Sequence, residues 1–170
     1  MTPRFDDLVI TRWGARFQGR SYACTIGRGG IGQKRGEGDG VTPEGVFHIQ
    51  QVLMRPDRID FEAGDVPAAV IGLGDIWSDD PADPAYNSGL KAFAHPYSHE
   101  ALRRADALYD TVAVLDYNRA PVVPGAGSAI FLHVWRKPRH PTEGCVAFAP
   151  RDLLWLAWQL VPGDRLEIAD

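Results

Sequence analysis

The sequence predicts a mostly β fold of the α+β class with two helices. Three observations lead there. The 170 residues include 18 glycines and 13 prolines, a turn-rich composition that favours many short strands over a bundle. Apolar runs are short, β-branched or alternating, and separated by Gly or Pro. Only two segments carry apolar residues at helical spacing.

The elements follow in order. Leu8–Trp13, Arg16–Ile26 and Val46–Leu53 read as strands separated by glycines. Thr42-Pro43-Glu44-Gly45 reads as a turn, Pro presetting φ at its second position and Gly closing it. Gly72 to Pro96, rich in Pro, Asp and Gly, reads as a long surface excursion with a functional reason to exist. Ser98 is placed to cap a short helix with Glu100 in its first turn and Leu102, Ala105, Leu108 and Tyr109 on one side. Val112–Tyr117 and Ala129–Val134 read as buried strands. Pro150 opens a second helix with Leu153, Leu156, Ala157 and Leu160 on its apolar face, and Pro162-Gly163 stops it. Leu166–Ile168 is a final strand. With no repeat and no low-complexity linker, residues 1–170 read as a single domain.

Composition excludes several classes of function. With 45% hydrophobic and 24% charged residues the chain is an ordinary globular protein. A net charge of −4 without a dense basic block argues against a general nucleic-acid binder. The longest unbroken apolar run, Leu153–Trp158, is far short of the roughly 20 residues of a membrane span. Two cysteines make no disulfide framework. After Met1, Thr2 and Pro3, the apolar stretch Leu8-Val9-Ile10 is too short for a signal-peptide core. The chain therefore reads as cytoplasmic, or as periplasmic if an export segment has been trimmed. Oligomeric state is not legible.

Cys145 is the residue that asks for chemistry. It follows Thr142-Glu143-Gly144, and a preceding glycine lets the backbone turn sharply, leaving the thiol and nearby N–H groups open to a ligand. Such N–H groups are natural oxyanion donors, worth about 3 kcal/mol of barrier each in acyl transfer. A thiol needs a base, and His133 ends the apolar run Ala129–Leu132, where a rigid strand can hold it. His140 lies in the loop Lys137–Pro141, which is less able to fix a side chain. From residue types alone, a buried small Cys145 and a core His133 are the commoner outcome. The spacing of His133, His140 and Cys145 fits none of the usual zinc patterns, and Cys24 reads as core.

The motifs resemble one known family. His133 followed by a loop and Thr142-Glu143-Gly144-Cys145 is similar to the His…[Ser/Thr]-His-Gly-Cys motif of YkuD-type L,D-transpeptidases. The likeness extends to Gly125–His133, Arg35–Phe47, Trp77–Pro81, Tyr86-Asn87 and Tyr117-Asn118, so it covers most of the chain. The sequence departs from the family in three respects. Glu143 stands where the family has a second histidine, Val134 follows the base where a glycine is usual, and the loop from His133 to Cys145 is shorter than in many members.

The resemblance implies a YkuD-type β-sandwich or barrel that performs acyl transfer on peptidoglycan stem peptides, at the bond between diaminopimelate and D-alanine. Cys145 would be the nucleophile and His133 its base, the Val134 carbonyl would orient the imidazole, and Gly144 with Cys145 would form the oxyanion hole. No cofactor or metal is implied. With water as acceptor the protein would be a cytoplasmic L,D-carboxypeptidase acting on recycled muropeptides. With an amine as acceptor it would cross-link stems or exchange D-amino acids.

The substrate's carboxylates call for arginine or lysine. Arg28, Lys34, Arg35, Arg136 and Arg139 are the candidates, with Tyr117 and Asn118 as polar lining and Trp135 as a wall. Gly27-Arg28-Gly29-Gly30-Ile31-Gly32 fits Gly-x-Gly-x-x-Gly, but no helical period follows, so a dinucleotide site is rejected and the run reads as a loop beside the active site. A non-catalytic cell-wall peptide-binding module is the competing expectation from another class, and a thiol hydrolase of unrelated peptides is a third.

Overall fold

A computed structural model describes residues 4–60, 67–161 and 163–170. Met1–Pro3, from which the N-terminal reading starts, and Pro162, half of the expected helix stop, lie outside the described residues.

The chain begins as a meander of β1 (Leu8–Thr11), β2 (Gly14–Phe17) and β3 (Arg20–Tyr22). Its second turn is Gln18-Gly19, with φ of 48° and 73°. That left-handed pair matches the twist of the flanking strands. The single strand expected over Arg16–Ile26 is therefore broken there, and again at Ala23 before β4 (Cys24–Thr25). β5 (Ile31–Gly32) pairs in parallel with β6 (Thr42–Pro43), so Thr42 and Pro43 are extended and do not form the expected turn. The long β7 (Gly45–Met54) follows, then β8 (Ala68–Val70), β9 (Asp75–Ser78), β10 (Gly89–Lys91), β11 (His99–Ala101), β12 (Thr111–Leu115), β13 (Phe131–Val134) and β14 (Val146–Phe148). Helix α1 (Pro150–Gln159) and β15 (Arg165–Ile168) complete the chain.

The main sheet runs β3-β2-β1-β15-β7-β12-β13-β14-β4, with β8 added beside β7. Its two edge strands, β3 and β4, are separated in sequence only by Ala23. One residue cannot span a flat sheet of this width, so the sheet curls until its edges nearly meet.

Both faces of the central strands are covered. On one face Ala113, Leu115, Leu132 and Val146 pack with Leu153, Leu156 and Ala157 of α1. On the other, Val112, Val114 and Phe131 pack with Trp77, Ile71, Leu102 and Tyr109. This is why β12 and β13 are buried at every position instead of alternating.

The second face is roofed by the segment expected as a surface excursion. It is a sheet of its own, β10-β9-β11, and its Trp77 is 1% exposed, edge-on to Phe131 at a centroid distance of 5.0 Å. The helix expected after Ser98 is absent, which leaves one helix among the described residues. Glu100 pairs with Trp77 as part of β11. Beyond it, Arg55 and Arg58 donate to the carbonyls of Arg104, Ala105 and Asp106 at 2.7–3.0 Å, occupying acceptors that helical hydrogen bonds would need. Leu102 and Tyr109 are still buried, as the apolar pattern required, but against the roof. Helix α1 forms as expected: Pro150 opens it, and Leu160 ends it in an extended conformation. No helix among the described residues is long and apolar enough to cross a membrane.

Candidate functional site

The sheet register places His133 and Cys145 on neighbouring strands. β13 and β14 are adjacent and parallel, with His133 opposite Ala147. Cys145 lies two residues before Ala147, so it shares the face of His133 on the neighbouring strand, one diagonal step away. The loop 135–144 makes the crossover between them.

The imidazole is fixed by the backbone. His133 Nδ1 is 2.8 Å from Val134 O. A carbonyl only accepts, so the neutral ring carries its proton on Nδ1 and keeps a free lone pair on Nε2. Tyr109 packs edge-on against the ring at 5.5 Å, and Arg104 lies over the other aromatic ring, 5.3 Å from the Tyr109 centroid. Burial pushes the His133 pKa down to about 4, although its hydrogen bond to Val134 works the other way.

The thiol donates to Ala129 O at 3.1 Å. Burial pushes its pKa up to about 12, and the negative charge of Glu100 adds to the effect. Both partners are thus held neutral at rest, a thiol and a free-base imidazole.

Ala129 is buried at a left-handed φ of 52°, a conformation that costs a non-glycine residue about 1–2 kcal/mol. Asn87 holds it there. Its Oδ1 accepts from Ala129 N and Trp77 Nε1, both at 3.1 Å, while Nδ2 donates to the carbonyls of Tyr117 and Asn118. The roof strand β9 is in this way tied to the residue that receives the thiol.

The turn before Cys145 needs its glycine. Gly144 has φ 141°, and a Cβ there would lie 3.0 Å from Val41 O. Thr142 braces the turn, its hydroxyl donating to Cys145 O at 2.6 Å and accepting from Gly144 N at 3.2 Å. Use of the Gly144 N–H as an oxyanion donor therefore requires exchange of that longer bond. The Gly-rich run lies alongside: Arg28 N donates to Thr142 O, and Thr142 N to Ile26 O, at 2.9 and 3.0 Å.

Two lobes open on either side of the sulfur. The larger, about 510 Å³, is lined by Arg104, Tyr109, His133, Arg136 and His140 among others. The smaller, about 280 Å³, is lined by Lys34, Glu37, Asp79, Ser128, Ala129 and Gly144 among others. Cys145, Glu100 and Glu143 line both.

Of the expected substrate contacts, Arg136 faces the larger lobe and Lys34 the smaller. The remaining candidates line neither. Arg28 pairs with Glu143 Oε2 and Gly38 O, each at 2.8 Å, and so ties the turn before Cys145 to the 27–38 segment. Arg35 offers its backbone N–H to Asp39. Tyr117 and Asn118 direct their polar atoms to the carbonyls of Ala126, Val123 and Gly127, which makes them supports of the 123–127 loop. Trp135 is half-buried with its N–H on Phe148 O, and Arg139 is exposed.

Sequence reasoning missed Glu100 and Tyr109, which it assigned to a helix. The Tyr109 hydroxyl donates to Glu100, and burial raises the pKa of that carboxyl. It also passed over Asp79 and Ser128 as functional groups. The available signal was a polar residue inside a tract otherwise destined for the core.

A curled β sheet thus sets a histidine and a Gly-Cys turn on neighbouring parallel strands, beneath an open groove. The family model of the L,D-transpeptidase catalytic domain, YkuD, matches residues 8–168, nearly the whole chain, and the protein belongs to that family. Searches of curated proteins and of solved structures returned no match. Membership carries activity of the L,D-transpeptidase type on peptidoglycan.

Proposed function

We propose that the protein breaks the bond between the L centre of diaminopimelate and the terminal D-alanine of peptidoglycan tetrapeptide stems, with Cys145 as nucleophile and His133 as base. The observation that carries this reading is the imidazole pinned through Nδ1 to Val134 O, on the same sheet face as the thiol. Its free Nε2 takes the thiol proton as sulfur attacks the carbonyl carbon. The imidazolium then protonates the departing D-alanine nitrogen, leaving a thioester on Cys145. Backbone N–H groups of the Gly144–Cys145 turn would stabilise the oxyanion once Gly144 N exchanges its Thr142 bond. Arg104, Arg136 and His140 make the larger lobe suited to the carboxylates of the donor stem.

With water as acceptor, the thioester yields a tripeptide stem. The protein is then an L,D-carboxypeptidase, a reaction that suits muropeptide recycling. The acidic smaller lobe favours a second reading, in which an amine accepts the acyl group.

Incubation with a disaccharide-tetrapeptide tests the proposal. D-alanine and tripeptide should appear, at least about 10³-fold more slowly with Cys145→Ala. Cross-linked or exchanged product without tripeptide would rule out the hydrolytic form. Absence of D-alanine release, or release unaffected by Cys145→Ala, would remove the function itself.

A further inference from the structure

The sequence offers Lys34 to a substrate carboxylate, but in the structure its ammonium is engaged inside the protein. The side chain is 3% exposed, with Nζ 2.6 Å from Asp39 Oδ1 and 3.1 Å from Val41 O. Asp39 is committed in the same way: Oδ1 also accepts from Val41 N at 2.9 Å, and Oδ2 from Arg35 N at 2.7 Å. Although burial opposes it, the hydrogen bonds from Lys34 and the backbone hold the Asp39 pKa down at about 2, so the carboxylate is ionised. The pair bridges a loop already closed at its base. There β5 and β6 run in parallel, and Thr42 N and Glu44 N donate to Gly30 O and Gly32 O at 2.9 Å. A buried ion pair adds little stability over apolar side chains of the same volume, so closing the loop does not explain it.

The place of the ammonium does explain it. The stem of Lys34 runs across Gly127, where a Cβ would overlap Lys34 Cε and lie 3.1 Å from Cδ. Its tip lies against Gly144, where a Cβ would lie 3.4 Å from Nζ. Two glycines thus leave room for one lysine. Val41, whose carbonyl takes the ammonium, abuts the same turn, and the next residue, Thr42, is buried with its hydroxyl donating to Cys145 O at 3.4 Å. The ammonium is therefore held against the turn that carries the sulfur. Burial raises the Cys145 pKa and Glu100 raises it further, whereas Lys34 works the other way. Glu143, a second carboxylate lining the lobe beside the sulfur, is paired with Arg28.

We propose that Lys34 is a positioning residue for acyl transfer by Cys145: its ammonium, led between Gly127 and Gly144, fixes the Gly144–Cys145 turn and sets a positive potential at the sulfur. The inference rests on the acyl-transfer reading above. Attack moves negative charge onto the sulfur and then onto the carbonyl oxygen, both at this turn. A cation already in place stabilises that charge without reorganising. It transfers no proton: His133 takes the one from the thiol, and the Lys34–Asp39 pair stays intact. Asp39 offsets part of the ammonium's field, so the two members of the pair act on the sulfur with opposite sign.

The opposite signs separate this role from a structural one. Iodoacetamide and iodoacetate alkylate the same thiolate and are nearly equal in size, but only iodoacetate is an anion. The ratio of iodoacetate to iodoacetamide rates at Cys145, followed by peptide mapping, therefore reads the local potential and cancels exposure of the thiol. Lys34→Met keeps an unbranched stem and removes the charge, and at low salt the ratio should fall about threefold. Asp39→Asn keeps the ammonium and removes its counter-charge, and the ratio should rise about threefold. A purely structural pair would change both rates together and leave the ratio alone. If Lys34→Met does not fold, the rise in Asp39→Asn decides by itself. Any other result in the ratio, whether unchanged, reversed or equal in both variants, overturns the proposal even if D-alanine is released. With disaccharide-tetrapeptide as donor, Lys34→Met should lower kcat for D-alanine release about tenfold with KM little changed. An unchanged kcat overturns the proposal as well, and a raised KM beside it would return Lys34 to the substrate's carboxylates. Ratios shifted as expected without any D-alanine release would retain the ammonium's action on the sulfur and sink the acyl-transfer reading.

Discussion

Cys145 and His133 are each held in the uncharged form, and the reason is the same for both. Each sits where water is scarce, so the cost of an isolated charge raises the thiol pKa to about 12 and lowers the imidazole pKa to about 4. A thiolate standing ready in the empty protein is therefore disfavoured, which suits the proposed mechanism, in which proton transfer accompanies attack. A lowered pKa keeps His133 a base as the medium acidifies, whereas an ordinary histidine would be half-protonated near 6.5. The kcat/KM for D-alanine release should therefore hold its neutral-pH value through pH 6.5 and fall only toward pH 4. A decline centred at 6–7 would show the imidazole to be solvated. The residue types Gly144, Cys145 and His133 were legible in sequence because their order along the chain is distinctive. Asn87 and Ala129 were not legible as supports, since a left-handed alanine and an asparagine with all its hydrogen bonds made leave no local pattern.

Among the elements, the roof strand β9 has most influence on the site. It was read as part of a loop because its prolines and aspartates obscure four strand residues, Asp75–Ser78. Those residues roof the sheet face that carries Phe131. Trp77 fills the space over Phe131 and donates to Asn87, which in turn holds Ala129. Trp77→Ala should cost about 3–5 kcal/mol in urea unfolding, the range for a buried tryptophan. It should also slow D-alanine release in whatever fraction remains folded. A loss under about 1 kcal/mol would mean that the roof does not seal the core. The segment after β11 shows why propensity misled. Its apolar spacing is helical, but pairing with β9 and the arginines of 55 and 58 take its backbone into another conformation. Strands β7, β12, β13 and β15 and helix α1 were legible, because each has a continuous apolar pattern or a proline start that no neighbour overrides.

Over the whole molecule, the curl of the sheet is the property no local reading supplied. It follows from Ala23 joining two opposite edges, a relation visible only once strand order is known. Curling sets the β13–β14 crossover beside the 27–45 segment, so that Thr142 meets Ile26 and Arg28 and the sulfur opens to lobes on both sides. The family resemblance was legible because its motifs span most of the chain, whereas the two lobes that meet at the sulfur were not. Only the folded chain brings Asp79, Glu100 and Ser128 together.

The central claim is that Cys145 carries the acyl group. Intact mass spectrometry of the protein mixed with disaccharide-tetrapeptide and quenched in acid tests it most directly. The account predicts an adduct equal to the donor less D-alanine, localised to Cys145 by peptide mapping and absent in Cys145→Ala. D-alanine release with no adduct under any quench, or an adduct on another residue, would contradict it.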